Sequence, residues 1–361
     1  MTMTIDPTLR AIADSTRLRI MRLLSAMELA VGELAQVLGQ SQPRVSRHVR
    51  ILCEAGLAER RKEGSWVFLR SAISEAGPTS LGSALAQLLA VAETEDAGFG
   101  ELCGEDRRHL AAIRAAREGA AQAYFARHAA QWDQLRVMHG ADEPVEAALA
   151  HALGVGGSGV SGGVSGGIGG GIAGGISGAD SPHLGAMLDI GTGTGRMADL
   201  FAPHATHVSA FDKSPEMLRI ARARLQHLPA GTVDLVQGDF SALPFADARF
   251  DTVLFHQVLH YAQAPEQVLA EAARVTRVGG RIAIVDFAAH GREELRETHA
   301  HARLGFADEQ MQSLLADAGF AAEPPVAVAG ETLTVKIWTG RRVAASGAAG
   351  PTLSDKKAPQ A

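Results

Sequence analysis

GQSQPRVSRHVRILCEAGL, residues 39–57, decides the reading of the amino-terminal fold. Ser41 stands where a helix N-cap belongs, and Pro43 is tolerated in a first helical turn. Val45, Val49 and Leu52 then recur at i, i+4 and i+7, which predicts a helix with one buried stripe. The opposite face carries Gln42, Arg44, Ser46, Arg47, His48 and Arg50. Arginine and glutamine can pair bidentately with guanine and adenine edges in a major groove, while serine and further arginines hold phosphates. Upstream, Ile12, Leu18, Ile20, Leu23 and Leu24, followed by Val31, Leu34, Val37 and Leu38, have helical spacing. Downstream, Leu57–Arg61 and Trp66–Arg70 flank a short turn and predict a hairpin, the wing of a winged helix-turn-helix. Arg60, Arg61, Lys62 and Arg70 give that wing a second cationic patch. Residues 1–72 hold 11 Lys/Arg against 7 Asp/Glu, net +4, in a chain whose total is -6, so only this part suits a polyanion. A solvated basic helix face is the alternative for any one charge run. Here the capped start, the apolar stripe and the hairpin occur together.

ADSTRLRIMRLL (Ala13–Leu24) and SQPRVSRHVRILCEAGL (Ser41–Leu57) resemble the ArsR/SmtB family of winged-helix transcriptional regulators. The resemblance covers about the first 75 residues. It implies a repressor-type homodimer on a double-stranded inverted-repeat operator, with two recognition helices in successive major grooves. Gln42, Arg44, Ser46, Arg47, His48, Arg50, Arg61 and Lys62 are the candidate DNA contacts. Many metal-sensing members carry an LCVCDL thiolate motif. The corresponding string here is Leu29-Ala30-Val31-Gly32-Glu33-Leu34, without sulfur. Cys53 has no nearby partner thiol, and His290, His299 and His301 have spacing too weak to argue a site, so no metal is expected.

From Gly185 the pattern changes to apolar strands separated by helical segments: Met187–Ile190, Val208–Phe211, Val233–Val236, Thr252–Phe255 and Arg281–Asp286. That alternation predicts an α/β Rossmann-like domain with a mostly parallel sheet, closed by an antiparallel pair at Pro325–Ala329 and Thr332–Thr339. MLDIGTGTGR (Met187–Arg196) follows the first strand and opens a helix, where glycines let the backbone approach a ligand. Asp212 follows Gly191 by 21 residues at the end of the next strand, placed to accept ribose hydroxyls, and Asp239-Phe240 follows the strand after that. The series resembles the class I S-adenosylmethionine-dependent methyltransferases, as do FDTVLFHQVLHYA (Phe250–Ala262) and EAARVTRVGGRIAIVDF (Glu271–Phe287), which are similar to the ubiquinone/menaquinone-type branch. The resemblance implies a seven-stranded sheet holding S-adenosylmethionine or S-adenosylhomocysteine. Asp189, Gly191, Gly193 and Gly195 would meet the methionine moiety, Asp212 the ribose, Asp239 and Phe240 the adenine, Lys213 and Met217 would flank the adenosine, and Thr192 counts among the cofactor-binding residues.

Methyl transfer needs alignment more than a strong acid or base, so no dedicated catalytic residue is demanded. His256 is the weak candidate for a general base. The lack of an Asn/Asp-Pro-Pro-aromatic run disfavours exocyclic-amine DNA methylation, and the lack of cysteine after Cys103 disfavours arsenic methylation. Two cysteines make no disulfide framework, and no apolar run is dense enough to span a bilayer, so the expected location is the cytoplasm, away from membranes. The expected organisation is a winged helix over 1–75, a helical dimerisation or connecting region over 76–153, a glycine-rich linker over 154–180, the methyltransferase-like domain over 181–342 and a disordered tail over 343–361. Two functions fit: a regulator whose carboxy-terminal domain senses the nucleotide or methylates a small molecule, or a small-molecule methyltransferase with an accessory DNA-binding module.

Overall fold

The structure is a computed structural model, which describes residues 3–63, 66–73, 80–137, 142–155, 184–330 and 332–344. The expected linker lies almost wholly outside the described residues, as does the tail beyond 344. In the amino-terminal part, α1 (Ile5–Ile12), α2 (Ser15–Leu24), the short strand β1 (Leu29–Ala30), α3 (Val31–Val37) and α4 (Gln42–Glu54) precede a wing of β2 (Ala58–Glu63) and β3 (Trp66–Ser71). β3 pairs antiparallel with both β1 and β2. Val45, Val49 and Leu52 of α4 are buried against α2 and α3, as the i, i+4, i+7 stripe requires. Ser41 is the N-cap residue by position, but its hydroxyl accepts no bond from the helix.

Two helices continue the chain, α5 (Leu81–Glu95) and the 32-residue α6 (Ala97–His128), followed by α7 (Trp132–Val137) and α8 (Asp142–Ala152). Leu85, Leu89 and Leu110 of α5 and α6 join the winged-helix core, whereas Val145 and Leu149 of α8 join the core of the large sheet. Burial of each apolar face decides the allegiance, and that cannot be read from helical periodicity alone.

The carboxy-terminal part runs β4 (Ala186–Ile190), α9 (Arg196–Phe201), β5 (His207–Asp212), α10 (Pro215–Leu225), β6 (Val233–Gln237), β7 (Phe250–His256), α11 (Pro265–Val275), β8 (Thr276–Phe287), α12 (Glu294–Thr298), α13 (Asp308–Asp317), β9 (Phe320–Ala322), β10 (Val326–Ala329) and β11 (Thr334–Arg342). The strand order is β10-β11-β8-β7-β4-β5-β6, with β9 also on β11, so the sheet has eight strands where seven were expected. β4 to β8 pair in parallel, and β9, β10 and β8 pair antiparallel with β11. Apolar clusters cover both faces. The chain reverses its direction of winding at β4, so the crevice at the carboxyl end of that strand is where such a sheet binds ligands. No helix among the described residues is long and apolar enough to cross a membrane.

A buried ion cluster joins the wing to this domain. Glu28, just before β1, accepts from Arg61 Nη2 at 2.9 Å and from Arg303 Nη1 at 2.8 Å. Glu63 accepts from Arg61 Nη1 at 2.9 Å, Arg296 Nη2 at 2.8 Å and the Leu304 amide at 2.7 Å. Arg303 is 1% exposed and lies 4.2 Å from the centroid of Phe68, and Arg296 lies 4.3 Å from that of Trp66. Burial disfavours ionisation of Glu28, but Arg61 and Arg303 outweigh it and hold the carboxyl below its ordinary range. Glu63→Ala strips the shared counter-charge from buried guanidiniums, and denaturant unfolding should show a loss of about 3–5 kcal/mol. Glu63→Gln, which keeps hydrogen-bond acceptors, should lose less. An unchanged midpoint in both would show that the cluster does not hold the two parts together.

Candidate functional site

The apolar strand β4 delivers Asp189 to the crevice and is followed by a glycine turn that leads into α9. Gly191 sits at φ +72°, and a β-carbon there would run into the Val258 side chain after β7. The Gly191 and Thr192 amides donate to the Phe211 carbonyl at 2.8 and 3.0 Å, pinning the turn to the end of β5. Asp189 is fully buried; its Oδ2 accepts from the Thr192 hydroxyl at 2.6 Å, and its Oδ1 has no hydrogen-bond partner among the described residues. Asp212 closes β5 and accepts from the Gly193 and Ser214 amides, both at 2.8 Å. Asp239 follows β6 and accepts from Lys213 Nζ at 2.6 Å and from the Ser241 amide at 2.8 Å. Three acids therefore stand in a row at the carboxyl ends of three adjacent strands.

Their electrostatics differ. Burial pushes Asp189 up to about 7, Thr192 opposing and the Asp212 charge adding to the shift. Burial also pushes Asp212 up, against the backbone amides it accepts from. At Asp239 burial works against ionisation, yet Lys213 and Ser241 prevail and lower the carboxyl to about 2. A cradle cleared of side chains, an orphaned buried carboxylate oxygen and a row of acceptors fit a nucleoside carrying a cationic amino-acid arm.

The sequence candidates converge on one cavity of about 740 Å3, large enough for a metabolite with room beyond it. Asp189, Gly191, Thr192, Gly193, Asp212, Lys213, Met217, Asp239 and Phe240 line it, and so does His256. Gly195 does not. It caps α9 at φ +82° and packs beneath the turn, where a β-carbon would come within 3.0 Å of Ala221.

Sequence reasoning missed the roof, which comes from the helices of residues 97–137. The Trp132 indole lies over Gly193, 3.7 Å from where its β-carbon would stand. Asp133 accepts from the Thr194 hydroxyl at 2.7 Å and pairs with Arg224. Phe125 packs edge-on against Trp132 at 5.3 Å and Tyr261 at 4.8 Å. On α6, Glu118 pairs with Lys213, while its neighbour Arg117 donates to Glu33 of α3 at 2.8 Å and lies over Trp66 of the wing. The Trp-Asp pair at the end of an Ala-rich helix was the available signal. Near His256, the buried His260 Nδ1 pairs with Asp286 at 2.8 Å.

The polar face of α4 exposes Gln42, Arg44, Arg47 and Arg50, and Arg44 and Arg47 enter no ion pair among the described residues. Ser46 is half-buried, and His48 is half-buried with Nδ1 3.6 Å from Asp14. Lys62 is exposed. Arg61 is the exception: its guanidinium is engaged by Glu28 and Glu63 in the ion cluster. Arg70 pairs with Glu59. Burial pushes the thiols of Cys53 and Cys103 up, and no group of three His, Cys, Asp or Glu among the described residues is placed to hold a metal ion.

Comparison with known proteins gives two family matches, bacterial regulatory proteins of the arsR family over residues 14–60 and a methyltransferase domain over residues 188–284. Demethylmenaquinone methyltransferase of Renibacterium salmoninarum is 36% identical over 101 residues, 28% of this chain and 40% of that protein. Phosphatidylethanolamine N-methyltransferase of Cereibacter sphaeroides is 38% identical over 103 residues, 28% of this chain and 50% of that protein. The match thus spans half or less of these curated relatives. Among solved structures, the Burkholderia thailandensis 1,6-didemethyltoxoflavin-N1-methyltransferase with bound S-adenosylhomocysteine is 24% identical, with a TM-score of 0.37 over 44% of this chain and 71% of that one. Residues 14–60 therefore match the arsR family of bacterial regulatory proteins and residues 188–284 a methyltransferase domain on a mostly parallel, Rossmann-like sheet, joined in one polypeptide.

Proposed function

We propose that the chain is a DNA-binding transcriptional regulator, acting as a homodimer on an inverted repeat, whose operator affinity is biased by S-adenosylmethionine or S-adenosylhomocysteine. One observation carries the reading: consecutive residues of α6 grip both functional parts, Arg117 the helix-turn-helix through Glu33 and Glu118 the adenosine end of the cavity through Lys213. Asp239, whose Oδ2 accepts from Lys213, is the acid positioned to accept from an adenine amino group. Any change in the Lys213 partnership is felt at Glu118 and, one residue away, at Arg117. Such coupling is reciprocal, so DNA must alter nucleotide affinity by the same factor.

The donor, when bound, supplies a methyl group on a sulfonium. This chain's part is to orient it over the glycine turn beneath Trp132 and to exclude water. A second reading, an active small-molecule methyltransferase, is favoured by the reach of the cavity past the donor residues to His256, Tyr261 and His301. Transfer of label from a methyl-labelled donor into cell extract, lost in Asp212→Ala, would support it.

Operator titrations with and without each nucleotide test the first reading. The curves should separate by about 5–150-fold, and Asp212→Ala should merge them while leaving nucleotide-free DNA binding intact. Coincident wild-type curves would refute sensing.

Arg47→Ala should weaken operator binding by about 1–3 kcal/mol, and Ser46→Ala less. Arg61→Ala should lower stability without flattening the salt dependence of DNA binding, because Arg61 is committed to the ion cluster.

Asp189 offers a pH readout. Between an unfolded value of about 4 and the folded value of about 7, the folded protein keeps a proton that the unfolded chain releases. Stability of the ligand-free protein is therefore lost as pH rises through that window. Denaturant midpoints from pH 5 to 8 should show the decline, and Asp189→Asn should flatten it. Affinity for a cationic donor should move the opposite way, rising with pH through about 7. A wild-type slope identical to that of Asp189→Asn would remove Asp189 from this role.

A further inference from the structure

The cavity continues past the adenosine end to the seam between the two functional parts, where Arg114 and Gln263 line it. Arg114 lies on α6 one turn, about 6 Å, beyond Glu118 and on the side away from Trp132. Its side chain is 16% exposed, and it donates no hydrogen bond to the described residues. The nearest counter-charge is Glu33 Oε1 at 3.8 Å, an oxygen that already accepts from Arg117 at 2.8 Å. The other oxygen of Glu33 is engaged by the Ala30 amide at 3.0 Å.

Two guanidiniums thus share one carboxylate. Glu266 also lies near Arg114, its carboxyl pushed up by burial against the pull of Arg303 and Arg114, and Arg303 adds a like charge already answered by Glu28. Burial likewise disfavours the charged form of Arg114, with Glu33 and Glu266 opposing. Beside it, Gln263 Nε2 donates to the Arg114 carbonyl at 3.2 Å, and Gln263 Oε1 is buried without a hydrogen-bond partner among the described residues. The Nε of Arg114 is buried without a hydrogen-bond partner among the described residues, and such a donor at a cavity wall carries a desolvation cost that a ligand would relieve.

We propose that this end of the cavity is a second ligand site, in which Arg114 takes the carboxylate or phosphate of a small organic anion whose apolar body lies against Tyr261, Val258 and Val268. A guanidinium offers a planar fork to either group. Resting on the proposed donor placement, the anion is not the methionine carboxylate of the donor, because that arm runs to the glycine turn under Trp132, the opposite way along α6. The site also touches the regulator: a ligand drawing Arg114 from Glu33 changes the charge around α3, which packs on the recognition helix α4.

The test is thermal unfolding of the full chain against benzoate, phenyl phosphate and the neutral isostere benzamide, with S-adenosylmethionine in parallel. At least one of the two anions should raise the melting temperature where benzamide does not, and which one responds identifies the charged group. Arg114→Gln should weaken that response about tenfold or more, and Arg114→Lys, which keeps the charge without the fork, should weaken it less. Arg219→Gln, on the exposed face of α10, should respond as the wild type does. Equal shifts from the anions and benzamide in wild-type protein overturn the proposal without recourse to any variant. So does an undiminished anion response in Arg114→Gln, or loss of the S-adenosylmethionine shift by a folded Arg114→Gln, which would place the residue in the donor site. A wild-type protein that responds to anions but not to nucleotide would overturn the nucleotide reading and leave this site standing.

Discussion

The architecture depends on charge neutralisation at a dry seam. Glu28 and Glu63 arise from the root and the tip of the wing sheet, Arg296 from α12 and Arg303 from the segment that follows it. Each guanidinium would be prohibitively placed without the acids of the other part, and Arg303 is almost wholly removed from water. Aromatic faces complete the arrangement: Trp66 and Phe68 present π-clouds to arginines from both sides, so apolar contact and charge compensation act on the same side chains. A wing held this way is a wall of the ligand cavity as much as an arm for DNA.

Helix α6 distributes that constraint. With 32 residues it is about 48 Å long, enough to give its first half to the winged-helix core and its second half to the cavity roof. Its sequence is Ala-rich and only weakly two-faced because it buries different sides at its two ends. Arg114, Arg117 and Glu118 lie within two turns of each other and meet, respectively, the cavity wall at the seam, the helix-turn-helix and Lys213.

Much of this was legible in the sequence. The stripe of α4, the wing strands, the glycine turn and the order of the parallel strands follow from short-range rules, because period, turn chemistry and strand alternation are local properties. The three acids were legible for the same reason, each ending a strand whose neighbours the topology fixes. What was hidden depended on long-range packing. Arg61 is as basic in sequence as Arg60 or Lys62, yet it points to a carboxylate 33 positions earlier in the chain. The roof residues Phe125 and Trp132 look like ordinary helix-face apolar groups until the sheet is present to receive them. Gly195 was grouped with its neighbours by motif, although its missing side chain makes room for α10 rather than for a ligand.

The setting of Trp66 has an optical consequence. Its indole is bracketed by Arg117 at 5.6 Å and Arg296 at 4.3 Å, one cation from the connecting helix and one from the methyltransferase domain, at the edge of the cavity. Fixed positive charge beside an excited indole shifts the energy of its emission, so the Trp66 share of the emission from the chain's three tryptophans gauges how closely wing, helix and methyltransferase domain are apposed.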